Sequence, residues 1–205
     1  LNPIQQPGES GSLYSVRDYF SLNPLLVAPD ERRPPSEILR EMLGAAHGLG
    51  LKVMLDLVLN HTAIDSPLVR DHPEWYARDK KGRVRHPGVI DGKKKVIWRD
   101  LAEIDNAASS ERRKLWNWWR KVTDYYLELG FDGFRCDAAY KVPMELWEEL
   151  IGGSRKRYPE ALFFAESLGC PEAQIVELAG AGFDYIFNSS KWWDFRADWA
   201  LEQYQ

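Results

Sequence analysis

Cysteine is scarce in this sequence: Cys136 and Cys170 are the two among 205 residues. They stand in different segments without metal-like spacing, which excludes a disulfide framework and a cysteine-ligated metal, and both read as reduced thiols. Long apolar runs are also missing. Nothing approaches the roughly 20 residues that span a bilayer. The opening LNPIQQPGES has neither the basic start nor the apolar centre of a secretory leader. The expectation is a cytoplasmic protein with no membrane partner. Positive charge is not in excess, since 27 Lys and Arg against 31 Asp and Glu leave a net charge of −4. Nothing in that balance attracts nucleic acid, and the one basic cluster, Lys93-Lys94-Lys95, reads as solvated loop. Repeats, low-complexity tracts and linkers are absent. So is any glycine-rich turn from strand to helix, which removes the phosphate-cradling domains.

What remains is a soluble composition, 44% hydrophobic and 28% charged, in a chain long enough to bury one sizeable core. Nine tryptophans are a heavy load. Most should be core, and a minority on loops would suit sugar stacking.

The segments alternate. SEILREMLGAAHGLG, Ser36 to Gly50, places Ile38, Leu39, Met42, Leu43 and Ala46 on one helical face. LKVMLDLVL follows as a nearly continuous apolar run, the pattern of a strand buried on both faces. A long polar loop runs from about Thr62 to Ala107. In SSERRKLWNWWRKVTDYYLELG, Leu115, Trp118, Trp119, Val122, Tyr126 and Leu129 recur at helical spacing, and Gly130 stops the helix. FDGFRCD, ALFFAE and FDYIFN are strands, and the helices PMELWEELIGGSRKRYP and PEAQIVELAGAG lie between them. LNPI reads as one more strand end. Strands alternating with helices give a parallel sheet with crossover helices: a doubly wound open sheet, or part of a (β/α)8 barrel, whose usual length is about 250 residues.

In both architectures the site lies at the C-terminal ends of the strands, and there the polar residues collect. By two-residue alternation Asp56 and Asn60 share a face, as do Arg135 and Asp137, and Phe164 and Glu166. One Asp–Arg pair at a strand end is an ordinary ion pair; three consecutive strands each delivering a carboxylate are not. Charges aimed into a barrel are expensive unless paired, so Arg135 is expected between Asp56 and Asp137. The arginine should keep Asp137 ionised, as a nucleophile requires. Glu166, in the apolar company of LFFAE, should hold its proton, as a general acid requires. Two such carboxyls about 5 Å apart are the machinery of a retaining glycosidase, and adjacent strands about 4.8 Å apart could supply that spacing.

At these residues the chain resembles a known family. DLVLNH (Asp56–His61), GFRCD (Gly133–Asp137) and FAES (Phe164–Ser167) are similar to three of the four conserved blocks of the α-amylase family, glycoside hydrolase family 13, in the same order. YSVRDYFSLNP (Tyr14–Pro24) resembles the segment after its second barrel strand, and LAEID (Leu101–Asp105) its fifth block. The resemblance implies a partial (β/α)8 barrel over residues 1–205, incomplete at both ends, with about strands two to six. The rest of the barrel would come from a longer parent protein or another chain. It implies Asp137 as nucleophile, Glu166 as acid/base, Arg135 holding the nucleophile and Asp56 supporting it. His61 would hydrogen-bond the sugar in the cleaved subsite and Tyr14 would stack on it. The substrate would be an α-glucan or maltooligosaccharide. No cofactor is required, though a structural calcium on Asn60 and Glu103 is consistent with the family.

The sequence also departs from that pattern. The fourth block, a His-Asp pair, is absent: Asp184, Asp194 and Asp198 follow no histidine. Tyr140 and Lys141 stand where many amylases carry Lys-His. DAAYKVP and HPEWYARDKKGRV are closer to the maltosyltransferase-like branch. The expected function is therefore a retaining hydrolase or transglycosylase. The alternative is a non-catalytic amylase-like module with a binding or assembly role.

Overall fold

A computed structural model describes residues 1–91, 94–167, 170 and 172–187. At its centre four strands run parallel: β3 (Met54–Leu57), β8 (Gly133–Cys136), β9 (Leu162–Ala165) and β10 (Tyr185–Ile186), in the spatial order β10-β9-β8-β3. They alternate with α3 (Arg112–Leu129), α4 (Met144–Arg157) and α5 (Glu172–Gly180), while α1 (Pro35–Gly48) precedes β3. The LNPI segment forms no assigned strand. Its Leu1 nevertheless extends the ladder beyond β3, accepting from Asp56 N at 2.9 Å and donating its amino group to Met54 O at 2.6 Å.

The helices bury the faces their periodicity marks. In α3, Leu115, Trp119, Val122 and Tyr126 are almost fully buried. Tyr19 meets Trp118 and Trp119 edge-on, at 5.2 and 5.3 Å between centroids. Burying indole requires a partner for its N–H. One residue, Asn106, serves two: Trp119 Nε1 donates to its side-chain oxygen and Trp116 Nε1 to its carbonyl, both at 2.9 Å. On β8, Phe134 and Cys136 are fully buried on the face opposite Arg135.

The segment Gly-Phe-Asp occurs twice, at 130–132 and 182–184, and does the same work each time. The glycine takes the positive φ that ends the preceding helix segment, 112° at Gly130 and 91° at Gly182. The aspartate then grips the neighbouring strand through its backbone and side chain together. Val53 N donates to Asp132 Oδ2 at 2.6 Å while Asp132 N donates to Val53 O at 2.9 Å. Phe163 N donates to Asp184 Oδ2 at 2.7 Å, and Asp184 N returns to Phe163 O at 2.9 Å. These clamps set the strand starts, at the end of the sheet away from the charged residues.

The segment expected as a loop from 62 to 107 is instead a folded excursion. β4 (His61–Ala63) pairs antiparallel with β7 (Leu101–Glu103), α2 (Pro67–Asp71) is capped by Ser66, and β5 (Gly88–Asp91) pairs with β6 (Lys94–Ile97). Strands of three and four residues are too short to show alternation, which is why polarity alone read as loop. The N-terminal segment likewise folds into a hairpin, β1 (Gln5–Pro7) on β2 (Val16–Leu22).

Candidate active site

Strand register alone gathers the charges. Asp56 on β3 lies opposite Arg135 on β8, and Arg135 lies opposite Phe164 on β9, so Asp137 and Glu166 leave their strands at the same level. Asp137 N donates to Leu57 O and Glu166 N to Cys136 O, at 2.9 and 3.0 Å, which carries the ladder out to both carboxylates. Arg135 Nη1 donates to Asp137 Oδ1 at 2.8 Å and to Asp56 Oδ2 at 3.2 Å, and its Nη2 lies 3.9 Å from Glu166 Oε2. Tyr14, between β1 and β2, donates its hydroxyl to Asp56 Oδ2 at 2.5 Å, with its ring 5.9 Å from the guanidinium carbon. The structure thus brings together Asp56, Arg135, Asp137, Glu166 and Tyr14.

The electrostatics differ from expectation at Asp137. Burial pushes its carboxyl up to about 6; Arg135 works against that rise, while Glu166 and Asp56 add to it. One guanidinium divides its charge among three carboxylates, and at Asp137 its share does not outweigh desolvation. Asp56 is raised as well, chiefly by burial, against the Tyr14 hydrogen bond and Arg135. The Tyr14 hydroxyl is driven well above its ordinary value by burial and by the adjacent Asp56.

His61 is buried, and burial lowers its pKa to about 4, so its ring is neutral near pH 7. Its Nε2 faces the Tyr14 carbonyl at 3.1 Å and its Nδ1 faces Asn60 Nδ2 at 3.3 Å. A carbonyl only accepts, so Nε2 carries the hydrogen and Nδ1 accepts from Asn60. Both ring nitrogens are therefore engaged with the protein, and a sugar hydroxyl would have to displace the Tyr14 carbonyl to take the N–H.

Asn60 and Glu103, the residues expected to hold calcium, each have protein partners, Asn60 at His61 and Glu103 at Arg85. Both Glu103 oxygens are held by Arg85, Oε2 by Nε and Oε1 by Nη2, each at 2.7 Å. Among the described residues no group of three or more His, Cys, Asp and Glu could hold a metal. Asp184, which follows no histidine, belongs to the clamp at the opposite end and also pairs with Arg155 at 2.8 Å. Asp194 and Asp198 lie outside the described residues.

A cleft of about 280 Å³ opens over the strand ends, lined by Ser12, Tyr14, His61, Trp98, Asp100, Leu101 and Asp137. A larger depression of about 510 Å³ wraps the start of α3, from Ala107 to Lys114, and holds none of the strand-end residues. Trp98 was not singled out from the sequence, although a tryptophan in a polar stretch was the available signal. It is 36% exposed, whereas Trp75, Trp116, Trp119 and Trp147 are core. Lys141 fixes this wall: its ammonium lies 5.5 Å from the Trp98 ring and 5.8 Å from the Tyr140 ring, and donates to Gly88 O at 3.4 Å. No helix of the described residues is long and apolar enough to cross a membrane.

Comparison with known proteins follows the same lines. The family model of the glycogen debranching enzyme glucanotransferase domain matches residues 1–81. The α-1,4-glucan:maltose-1-phosphate maltosyltransferase of Pseudomonas aeruginosa is 30% identical over 156 residues, 76% of this chain and 23% of that protein. Its Burkholderia pseudomallei counterpart is 28% identical over 167 residues, 82% of this chain and 14% of that protein. The chain therefore spans less than a quarter of these relatives. An α-amylase from Lactobacillus plantarum superposes with a TM-score of 0.78 at 30% identity, covering all of this chain and 50% of the amylase. The maltogenic α-amylase AmyB of Thermotoga neapolitana gives 0.72 at 26% identity, over 95% of this chain and 41% of its own. The parallel sheet and its crossover helices are part of a (β/α)8 barrel, and the chain belongs to the α-amylase family.

Proposed function

We propose that this chain carries the catalytic carboxylates of a retaining enzyme that cleaves or transfers α-glucosidic bonds of α-glucans. The observation that carries this reading is the placement of Asp137 and Glu166 at one level on adjacent parallel strands, with one guanidinium reaching both. Asp137 attacks the anomeric carbon while Glu166 gives its proton to the departing glycosidic oxygen, so the leaving sugar departs as a neutral alcohol and a glycosyl ester remains on Asp137. Glu166, now a carboxylate, takes a proton from the incoming water or sugar hydroxyl, whose oxygen displaces Asp137 and restores both groups. Arg135 orients the nucleophile and balances its charge, and Asp56, held by Tyr14, fixes the arginine from the other side.

The maltosyltransferase relatives favour transfer to a glucan over hydrolysis. The strands beyond those described would complete the barrel and supply further subsites. Incubation of the full-length protein with 5-fluoro-α-glucosyl fluoride, followed by intact mass spectrometry, tests the proposal. A mass gain that is lost in Asp137→Asn supports it, and the labelling rate should rise through pH about 6 as Asp137 ionises. A folded protein that takes no label would leave the non-catalytic, glucan-binding reading in its place.

A further inference from the structure

The residue after the proposed nucleophile is in the wrong conformation for a strand. Ala138 has φ 43° and ψ 47°, and it is the one non-glycine with positive φ among the described residues. A side chain raises the energy of this left-handed conformation, so such residues persist only where their surroundings impose it. The hydrogen bonds show what the turn accomplishes. In an unbroken parallel ladder the Ala138 N–H would donate to the carbonyl of Glu166, across the strand from Asp137. Here that carbonyl is taken one residue late, by Ala139 N at 3.1 Å. The Ala138 N–H is turned instead onto the Glu166 side chain, donating to Oε2 at 2.8 Å.

We infer that Ala138 is a positioning residue for the acid/base, its left-handed turn directing a peptide N–H onto Glu166 Oε2. This rests on the acid/base role proposed for Glu166. In the acid form that the proposed role requires, the oxygen that accepts the peptide N–H, with Arg135 Nη2 at 3.9 Å on the same atom, would serve as the carbonyl oxygen, which leaves the transferable proton to Oε1. The peptide that carries the nucleophile's own carbonyl thus also sets which oxygen of its partner is the acid, and one backbone turn couples both catalytic groups. Glycine adopts this conformation freely, whereas a β-branched residue resists it.

The test exploits the fact that a substrate with a good leaving group has little need of an acid. In the full-length protein, rates are measured on α-maltosyl fluoride and on an unactivated maltooligosaccharide. Four variants are compared: Glu166→Gln, Ala138→Gly, Ala138→Val, and an Ala138 backbone ester that replaces only the N–H by oxygen. The comparison is made on kcat/KM, which reports formation of the glycosyl-enzyme and not its base-assisted breakdown. The ester and Ala138→Val should follow Glu166→Gln in kind, with the ratio of the fluoride value to the oligosaccharide value rising about tenfold or more above the parent's. Ala138→Gly should keep the parent's ratio between the two substrates. Equal losses on both substrates in the ester variant, or no loss on either, would overturn the positioning role. Should Glu166→Gln itself fail to separate the two substrates, the assignment of Glu166 falls, and this inference with it. The ester preserves the side chain, so the comparison survives an unfolded Ala138→Val.

Discussion

Asp137 and His61 line the same cleft and carry opposite dependences on pH. The carboxyl of Asp137 titrates near 6 in the fold against an ordinary 3.8, so its ionisation opposes folding. That penalty is absent below pH about 4, complete above about 6, and worth roughly 3 kcal/mol. His61 titrates near 4 against an ordinary 6.5. On acidification from 6.5 to 4 the unfolded chain takes up that proton and the fold does not, so stability falls by a similar amount, roughly 3 kcal/mol. The two effects offset one another across this window. Asp137→Asn should therefore raise stability at pH 7 by about 1–3 kcal/mol, and should uncover a loss towards pH 4 that the parent conceals. Urea unfolding at pH 7 and pH 4.5 reads both. A variant no more stable at pH 7, with an unchanged slope, would mean that Asp137 is not strained by its burial. Trp98→Ala should weaken maltooligosaccharide binding roughly three- to tenfold, the worth of one aromatic contact, and titration calorimetry at constant pH checks it. At this scale the sequence made the three carboxylates and the arginine legible, because alternation on a strand is a strict rule. It could not show how one guanidinium is divided among three acids. Nor could it show the left-handed turn at Ala138, since alanine carries no signal for that conformation.

At the scale of elements, the Gly-Phe-Asp clamps and the approach of β8 to β9 bear most of the strand alignment. Asp132→Ala leaves the Val53 N–H without its side-chain acceptor, and Asp184→Ala does the same to Phe163. Each should cost about 1–3 kcal/mol, because a half-buried donor loses its partner, while fluoride labelling of Asp137 continues at the other end of the sheet. Denaturation midpoints together with the labelling rate separate the two effects; a clamp variant that stops labelling would show that strand starts govern the site. Gly133 is tighter still. A Cβ there would lie 2.0 Å from Leu162 O, at a φ of 153°. Gly133→Ala should therefore displace one strand from the other and destabilise by about 3 kcal/mol or more, enough to see as a marked drop in the urea midpoint. Long periodic elements were legible beforehand: the helices read from Ser36, Ser109 and Pro143 onwards correspond to α1, α3 and α4, because apolar faces repeat over several turns. The excursion between 61 and 107 was not. Its strands are three or four residues long, and the β4–β7 pair joins residues about forty apart in the chain. The clamps were equally hidden, because a three-residue motif reveals its role only when the strand it grips is in place.

For the molecule as a whole, stability and chemistry are distributed unevenly. β8 carries Arg135 and leads to Asp137, and it lies inside the sheet, paired on both sides over its whole length, with β3 and β9. At the flank, β10 pairs only with β9 among the described residues, and Tyr185 and Phe187 are 62% and 45% exposed. The cleft wall is different again. The β5–β6 hairpin that carries the chain into Trp98 has exposed side chains along β6 and is tied to the barrel through Lys141. A charged residue is best held where the backbone opens least, and a substrate-gripping wall where it opens readily. Amide exchange should follow that order: Phe134 and Cys136 slowest, Tyr185 and Ile186 faster, and the β6 amides fastest. An α-glucan oligosaccharide should then slow exchange in β6 and around Trp98 severalfold, because a local opening that breaks the site must first release the sugar. If the sugar instead slowed β8, with β6 unaffected, the ligand would be stabilising the sheet globally, and the excursion would not be the wall that receives it.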